Sequence, residues 1–318
     1  TLVPLGVVRS LLQFRPQLIF SNSFGIWTIL ALALKLLLSW QVVIAYEGSA
    51  PGVDFRNSPK RLLLRRIMVK WADALISNSQ SGKNYLIEVL QADPAKVFAQ
   101  PYEIPAAESL AVDSELPLSV DCTRPIFLFV GRIMPRKGLR VLLEACQSLK
   151  ERGYDRFTLL VVGDGEQRQE LQDLSQTYHL NDCVQWLGRV DYDQVSHYFQ
   201  QADVFVLPTF EDTWGVVVLE AMLLGKPVLC SLGAGSSELV MDGENGYRFE
   251  PQQPEILAGQ MQQFIDHPDQ AAQMGDRAQQ LMQAHTPTIA AQFLADVVHF
   301  AIHQPSRLQQ THSVSQHE

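Results

Sequence analysis

The chain opens with apolar runs that alternate with amphipathic segments. A helix end and a strand are predicted in "LVPLGVVRSLLQFRPQLIFSNS", and a helix and a strand in "GIWTILALALKLLLSWQVVIA". An amphipathic basic helix, "RLLLRRIMVKWA", a strand, "DALISNS", and a further helix, "QSGKNYLIEVL", follow. Such alternation predicts a parallel sheet that is covered by helices.

The apolar run after Gly25 is about twenty residues long, which is also the length of a membrane-spanning helix. Lys35 lies in the middle of this run, and Ser39 and Gln41 interrupt it. The β-branched residues that follow are typical of a buried parallel strand. We therefore interpret the run as a buried helix followed by a strand.

A second alternation of strands and helices begins after residue 125. A helical pattern follows each predicted strand, and the strands are "IFLFVG", "TLLVVGDG", "VQWLGRV", "VFVLPTF" and "PVLCSLG". Residues 103–125, between the two alternations, mix Pro, Ser and acids without periodicity, as interdomain linkers do. The sequence predicts an α/β protein with two domains, the second a doubly wound parallel sheet.

Composition narrows the classes of partner. The 318-residue chain has a net charge of -9 and a pI near 5.4, which argues against nucleic acid because that affinity comes largely from Lys and Arg. The cysteines have no paired spacing, so we expect reduced core thiols, no disulfide, no zinc site and a cytoplasmic location. The four cysteines are Cys122, Cys146, Cys183 and Cys230.

Ligands of doubly wound sheets bind at the carboxyl ends of the strands, so the strand-to-helix junctions are the places to look for chemistry. At the first junction, Gly131 ends a strand, and Arg132 and Lys137 follow on one short loop. Two cations there could clamp a diphosphate. Alternatively, these cations form a solvated face together with Arg136 and Arg140.

The next two junctions carry weaker signals. Gly163 and Gly165 resemble the start of a dinucleotide fingerprint, but Arg168 stands where its third glycine would be. We therefore expect a tight turn there rather than an NAD site. Arg189 and Val190 end the following strand, where backbone groups could meet a flat ligand such as a base.

The fourth junction places acids before and inside an apolar helix. Glu211 and Asp212 lie on the loop, and the helix is predicted from about Gly215 to Leu224. Its first amides form an anion site, and Glu220 lies about 6 to 7 Å further along the axis. A buried carboxylate needs a hydrogen-bonding partner. The candidates are a ribose diol and, alternatively, a protein Arg or Lys.

Several segments resemble, in order, the motifs of the retaining GT-B glycosyltransferases of family four. They are "VGRIMPRKG", "VVGDG", "WLG", "PTFEDTWGVVVLEAMLLGKPVL" and "GAGSSELVMDGENGYRF". The resemblance covers about residues 17–303. It implies two Rossmann-like doubly wound domains facing a cleft, with a nucleotide sugar held mainly by the C-terminal one. It further implies that Arg132 and Lys137 bind the diphosphate and that Glu220 binds the ribose.

In the family pattern, the loop before the helix holds the donor sugar. The first acid of the paired motif is Glu in the family, whereas Asp212 stands at that spacing here with Glu211 beside it. Either carboxylate could bind the sugar hydroxyls. The predicted donor-binding residues are Gly131, Arg132, Lys137, Gly163, Arg189, Val190, Glu211, Asp212, Trp214, Gly215, Val216 and Glu220.

The start of the chain departs from the family pattern. Roughly one and a half to two βα units, including the loop that meets the acceptor, are expected before Thr1, so the N-terminal domain is predicted to be incomplete. A histidine that these enzymes often carry reads Glu47 in "VVIAYEGS". We expect Glu47 either to face the reacting sugar or to be an ordinary loop carboxylate.

The domain bounds follow from the linker and the resemblance. We predict an N-terminal domain, a linker, a nucleotide-sugar-binding domain, a helix that crosses back to the N-terminal domain, and a disordered tail. Their bounds are 1–105, 106–124, 125–285, 286–303 and 304–318.

The resemblance implies transfer of a hexose-like sugar from a nucleoside diphosphate sugar to an acceptor hydroxyl, with retention of configuration. No side chain is an obvious nucleophile, so displacement on one face of the sugar is favoured, and Arg132 and Lys137 would stabilise the leaving diphosphate. The predicted catalytic residues are Arg132, Lys137, Asp212 and Glu47.

We expect no metal and no cofactor, because two protein cations replace the divalent ion and no Asp or His residues cluster. The acceptor is not identified by the sequence. A contact with the inner face of a membrane could come from the basic residues 60–70. A noncatalytic nucleotide-sugar-binding or regulatory module and a nucleotide-sugar epimerase of the same fold remain alternatives.

Overall fold

The computed structural model describes residues 5–110 and 122–303, which form two compact units. The described part of the first unit comprises residues 5–49, 54–102 and 290–303. The second comprises residues 50–53 and 103–289. The tail predicted at 304–318 and residues 111–121 of the predicted linker lie outside the described residues.

The first unit is built on a parallel four-stranded sheet of order β1-β2-β3-β4. Between residues 5 and 102 the elements are α1 (Leu5–Phe14), β1 (Leu18–Asn22), α2 (Ile26–Leu38), β2 (Gln41–Ala45), α3 (Pro51–Asp54), α4 (Pro59–Trp71), β3 (Ala74–Ser77), α5 (Gln80–Asn84), a π-helical turn (Tyr85–Val89), a 3₁₀ turn (Pro94–Lys96) and β4 (Val97–Ala99). The strands and helices expected up to α5 are present, whereas the short β4 was not predicted.

Helix α2 explains the apolar run that could have been a membrane span. It has 13 residues, and among the described residues no helix is long and apolar enough to cross a bilayer. Its charged residue, Lys35, reaches Asp73 with an Nζ–Oδ2 distance of 2.6 Å. The apolar residues Ala31 and Leu32 are buried against the unit, whereas Leu37 of the same run is 79% exposed, so the helix packs on the unit by one side and is not buried throughout, in contrast to the prediction from the sequence.

The second unit contains a parallel six-stranded sheet of order β10-β9-β8-β5-β6-β7. From residue 103 onward the elements are a 3₁₀ turn (Ala107–Leu110), β5 (Ile126–Val130), a 3₁₀ turn (Pro135–Lys137), α6 (Leu139–Glu151), β6 (Thr158–Val162), α7 (Arg168–Thr177), β7 (Val184–Gly188), α8 (Tyr192–Gln201), β8 (Val204–Leu207), α9 (Val216–Leu223), β9 (Val228–Ser231), a 3₁₀ turn (Gly235–Leu239), β10 (Gly246–Phe249), α10 (Pro254–Asp266), α11 (Asp269–Met282) and α12 (Pro287–His303). All five strands predicted here are present, and β10 is an addition.

Apolar residues cover both faces of the second sheet. Phe127 and Phe129 of β5 pack on one face, whereas Leu128 of the same strand packs on the other with Phe205. This alternation follows from the period of two of a strand. The strand order reverses between β5 and β8, which identifies the place where such sheets bind ligands.

Helix α12 returns to the first unit. Its residues Val297 and Ala301 are buried together with Val43, Ala74 and Ile76 of β2 and β3. The C-terminal helix therefore completes the core of the N-terminal sheet.

Candidate functional site

The carboxyl ends of β5, β6 and β7 surround a concave site of about 540 Å³. Five of its lining residues are in the predicted donor-binding set, namely Gly131, Arg132, Gly163, Arg189 and Val190. The sheet register explains why they meet, because parallel strands β5, β6 and β7 end side by side. Three strand-end motifs that are far apart in the sequence therefore line one cavity.

Close backbone packing shapes this cavity. Gly163 has a φ of +143°, and a Cβ there would lie 1.9 Å from the carbonyl oxygen of Gly131. The amide of Ile133 donates to the carbonyl of Asp164 at 2.9 Å, which holds the two loops together. Glycine at 163 thus allows the contact between the loops after β5 and β6, as expected of a tight turn.

Arg132 and Lys137 follow β5 in different environments. Arg132 is exposed at the rim of the cavity, and no ion pair is found for it within residues 5–110 and 122–303. Lys137 instead pairs with Asp212 of the loop after β8, and the two side chains are only 14% and 13% exposed. The ion pair bridges the two loops at the point where the strand order reverses.

The loop after β8 is fixed against the loop after β5 by further hydrogen bonds. The Thr209 hydroxyl and the Phe210 amide both donate to the Arg136 carbonyl at 2.8 Å. A Cβ on Gly138 would lie 2.0 Å from the carbonyl oxygen of Pro208. The backbone around the Lys137–Asp212 pair is therefore held closely.

The two adjacent acids, Glu211 and Asp212, point to different partners. The Glu211 Oε2 accepts a hydrogen bond from the Gly52 amide at 2.7 Å. The Asp212 amide donates to the Gly233 carbonyl at 2.8 Å, and its own carbonyl accepts from the Gly235 amide at 3.0 Å. Asp212 is thus fixed by its backbone with its carboxylate directed at Lys137.

Helix α9 buries Glu220, which is 7% exposed. The Tyr192 hydroxyl donates to Glu220 Oε1 at 2.8 Å. Among the described residues no Lys or Arg forms an ion pair with Glu220. The alternative of a core Glu paired with Lys or Arg is therefore wrong, because a tyrosine at the start of α8 takes that place.

Burial controls the titration of this pair. Desolvation raises the pKa of Glu220 above its ordinary value, and the hydrogen bond from Tyr192 lowers it in part. The pKa of Tyr192 is raised to about 12 by desolvation and by the neighbouring carboxylate. While Glu220 is ionised, the Tyr192 hydroxyl keeps its proton and donates the hydrogen bond to the Glu220 carboxylate.

The residues that begin α9 contribute in different ways. Gly215 adopts a left-handed conformation with φ of 88° immediately before the helix. The Trp214 side chain is 2% exposed and packs in the core with Val218 and Leu219. A contact of Trp214 with a ligand would come from its backbone, and Val216, the first residue of α9, is half-buried.

Glu47 lies in the first unit, just after β2. It is half-buried, and its Oε1 accepts from the side-chain Nδ2 of Asn22 at 3.5 Å. Its backbone carbonyl accepts from the Asn78 amide at 3.1 Å. Glu47 thus stands at the carboxyl end of the N-terminal sheet, where the loops after β1, β2 and β3 meet.

A buried polar network beside Glu47 was missed by the sequence reasoning. The Asp54 carboxylate accepts from the Tyr46 hydroxyl and from the Ser49 hydroxyl, the latter at 2.6 Å. The Asp54 carbonyl accepts from the Arg65 guanidinium at 3.1 Å. Tyr46 and Ser49 lie on either side of Glu47 in the chain, so the network fixes the backbone that carries the Glu47 side chain. No local signal in the sequence joins residues on separate elements in this way.

In the part of the chain that the structure describes, no three His, Cys, Asp or Glu residues are arranged to hold a metal ion. The four cysteines are free thiols, of which Cys146, Cys183 and Cys230 are buried.

Comparison with known sequences identifies a protein family that matches this chain. The family model described as "Glycosyl transferases group 1" matches residues 117–281. The D-inositol 3-phosphate glycosyltransferase of Streptomyces scabiei is 30% identical over 268 residues, which are 80% of this chain and 60% of that protein. An uncharacterized glycosyltransferase of Methanocaldococcus jannaschii is 33% identical over 141 residues, 44% of this chain and 36% of that protein. The chain spans about 60% of the length of the first relatives it matches.

Solved structures share the fold. Anabaena HepE in complex with UDP has a TM-score of 0.77 at 20% identity, covering 92% of this chain and 81% of that one. The sucrose-phosphate synthase of Thermosynechococcus elongatus has a TM-score of 0.73 at 26% identity, covering 90% and 74%. These likenesses, with the two parallel sheets, confirm the predicted GT-B fold of Rossmann-like domains.

Proposed function

The chain belongs to the group 1 glycosyltransferases, and on that basis we propose that it moves a hexose-like sugar from a nucleoside diphosphate sugar to an acceptor hydroxyl with retention of configuration. The observation that carries the proposal is the placement of Arg132 and Lys137 on one loop at the carboxyl end of the central strand β5. A planar guanidinium and an ammonium at the switch point of a doubly wound sheet suit a diphosphate.

The other donor contacts follow from the same edge of the sheet. Glu220 would bind the ribose hydroxyls, since a buried carboxylate with one hydrogen bond from Tyr192 can accept more. Arg189 and Val190 line the cavity at the end of β7 and would meet the base. Asp212 would bind the sugar, with Glu211 as the neighbouring candidate.

The chemical step is a displacement on one face of the sugar. The bond between the anomeric carbon and the diphosphate oxygen breaks, and the acceptor oxygen forms its bond to that carbon from the same side. The acceptor proton passes to the departing phosphate oxygen. Arg132 and Lys137 stabilise the negative charge that grows on the diphosphate, and Asp212, paired with Lys137, holds the sugar beside it. Glu47 is the proposed acidic group of the N-terminal unit.

The positive charge for the leaving group comes from protein side chains, so the proposed reaction uses no metal and no cofactor. The four free thiols suit a reducing compartment. The proposed location is therefore the cytoplasm.

Binding and turnover assays test the proposal. UDP and UDP-glucose head the binding panel because structures of HepE contain them, and a ligand at a hundred times its dissociation constant should stabilise the protein by about 2.7 kcal/mol. Turnover is then measured with acceptors that include an inositol phosphate, since relatives carry that name, and with EDTA present.

The outcomes separate three classes of protein. Release of nucleoside diphosphate that depends on an acceptor and persists in EDTA supports the transferase. Conversion of the donor sugar without acceptor would indicate an epimerase. Donor binding without any turnover would indicate a noncatalytic nucleotide-sugar-binding module.

A further inference from the structure

Helix α4 of the first unit presents an exposed apolar stripe. Leu63 is 62% exposed, and Leu64, Ile67 and Trp71 are 42%, 48% and 43% exposed. At 3.6 residues per turn, these four side chains lie within about 100° of the helix circumference. Single exposed apolar residues are ordinary on a protein surface, but a contiguous stripe marks an interaction site.

Cations surround this stripe. The helix carries five of the 25 Lys and Arg residues of the chain and none of its 34 Asp and Glu residues. Lys60 and Lys70 are exposed on the same side as the stripe, and Arg61 and Arg66 lie towards its two edges. On a chain with a net charge of -9, this helix is a local concentration of positive charge.

A concavity of about 580 Å³ adjoins the stripe. Leu63 and Ile67 line it together with Arg66, Lys70 and Lys96. The Arg66 guanidinium is held in place, because its Nε and Nη2 donate to the Val89 carbonyl at 3.1 and 3.0 Å. Apolar and cationic side chains therefore share one concave edge.

One acid, Asp93, also lines the concavity. Its Oδ1 accepts a hydrogen bond from the Ala95 amide at 3.0 Å and so caps the following turn. Even with Asp93 counted, three cations face one acid there. The local charge is complementary to phosphate groups.

We propose that the exposed face of α4, formed by Lys60, Leu63, Leu64, Ile67, Lys70 and Trp71, docks on a bilayer that contains anionic phospholipid. A helix of this composition lies in the plane of the interface, with its apolar side chains among the upper acyl chains and its cations at the phosphates. Trp71 suits the boundary because its ring is apolar and its indole N–H is polar.

A second copy of the chain is a poorer occupant of this face. In a two-fold dimer the α4 face would meet itself, and the cations of one copy would oppose those of the other. An anionic bilayer satisfies the apolar stripe and the cations together. This inference goes beyond the proposed sugar transfer and does not depend on it.

Flotation of the purified chain with vesicles tests the proposal. One set of vesicles is phosphatidylcholine alone, and the other is an equal mixture of phosphatidylcholine and phosphatidylglycerol. The protein should float with the mixed vesicles and not with phosphatidylcholine alone, and binding should fall as salt is raised. Equal binding to both vesicles, or to neither, would overturn the proposal.

Two double variants locate the surface. Lys60→Glu with Lys70→Glu should lower partition into the mixed vesicles about 30-fold or more, and Leu63→Ser with Ile67→Ser should also release the protein. The matched controls are Arg156→Glu with Arg277→Glu and Ile256→Ser with Ile289→Ser, at exposed positions of the second unit. The proposal is wrong if the controls lose as much binding as the α4 variants.

Sedimentation without vesicles supplies the remaining test. The wild type and the Leu63→Ser, Ile67→Ser variant should sediment with the same mass if the face is free for a membrane. A dimer that the variant dissociates would overturn the proposal in favour of self-association. Thermal melts of both α4 variants should match the wild type, because all four substituted side chains are exposed.

Discussion

The ammonium group of Lys137 forms an ion pair with the carboxylate of Asp212, although 75 positions separate them in the chain. The pair joins the loops after β5 and β8, between which the strand order reverses. Both residues are proposed donor ligands, one for the diphosphate and the other for the sugar. In the proposed complex, Lys137 would contact both the donor diphosphate and Asp212, and Asp212 would contact the sugar. The ion pair would therefore link the residues that hold the two sides of the bond that breaks.

Arg132→Ala and Lys137→Ala should each weaken nucleoside diphosphate binding by about 1.5 to 3 kcal/mol, as expected for a lost charged hydrogen bond. The two variants should differ in stability. Arg132 is exposed, so its removal should leave the melting temperature unchanged, whereas Lys137→Ala leaves the mostly buried Asp212 without its ion-pair partner. Calorimetry with UDP and thermal melts measure the two effects.

Arg140→Ala is the matched control, because Arg140 lies on α6 and pairs with Glu170. It should leave nucleotide affinity as in the wild type. If both Arg132→Ala and Lys137→Ala bind UDP as the control does, the diphosphate does not lie on this loop.

Asp212→Asn should spare the free nucleotide and impair the intact donor and its transfer. Removing the Asp212 charge leaves Lys137 available to the diphosphate, so affinity for UDP should stay equal or increase. The sugar loses a charged hydrogen-bond acceptor, so the loss should show in transfer rate and in donor affinity.

Glu211→Gln is the companion variant, since its carboxylate accepts from the Gly52 amide rather than from Lys137. It should transfer sugar at close to the wild-type rate. The opposite ranking, with Glu211→Gln impaired and Asp212→Asn active, would move the sugar site to Glu211.

Local patterns predicted most of the fold. Strand and helix periods and the glycines at strand ends are signals within a few residues, so β1–β3, β5–β9 and α9 could be read directly. The three-residue β4 and the strand β10, with the sequence Gly-Tyr-Arg-Phe, were missed because so few residues carry no readable period.

The missing parts of the site are long-range relationships. A buried carboxylate inside α9, and its need for a hydrogen-bonding partner, could be predicted from the sequence. The partner, Tyr192, could not, because it is 28 positions away on the exposed start of α8. It placed Arg132 and Arg189 at strand ends, yet only the sheet order brings them into one cavity. Side-chain pairs across elements follow from tertiary packing, which leaves no periodic trace.

Glu220→Gln should weaken UDP and the intact donor alike, because the ribose is common to both. It should also change the pH dependence of stability. Burial raises the pKa of Glu220 in the folded state, so the carboxyl group contributes stability below its ordinary pKa, and this contribution is lost as pH rises through the folded pKa. A glutamine side chain does not titrate, so the Glu220→Gln variant does not lose stability in this way as pH rises.

The melting temperature of Glu220→Gln, relative to the wild type, should therefore increase as pH rises from below the ordinary pKa of glutamate towards neutrality. Thermal melts over that range measure it. A constant difference at every pH would show that Glu220 titrates normally, and unchanged UDP affinity would show that the buried acid is structural.

Tyr192→Phe should shift the pH at which nucleotide binding is lost, with little effect on affinity at high pH. The tyrosine hydroxyl stabilises the ionised form of Glu220 through the bond to Oε1 and lowers its pKa in part. Without the hydroxyl the pKa of Glu220 rises further, so the carboxylate that binds the ribose is protonated at a higher pH. Calorimetry of UDP binding across pH should show the acidic loss of affinity displaced upward. Protonation of UDP itself cancels, because wild type and variant are compared with the same nucleotide.

Tyr198→Phe, on the same helix, controls for loss of a tyrosine hydroxyl and should keep the wild-type profile. If Tyr192→Phe lowers affinity equally at every pH, Tyr192 shapes the site without tuning the pKa of Glu220.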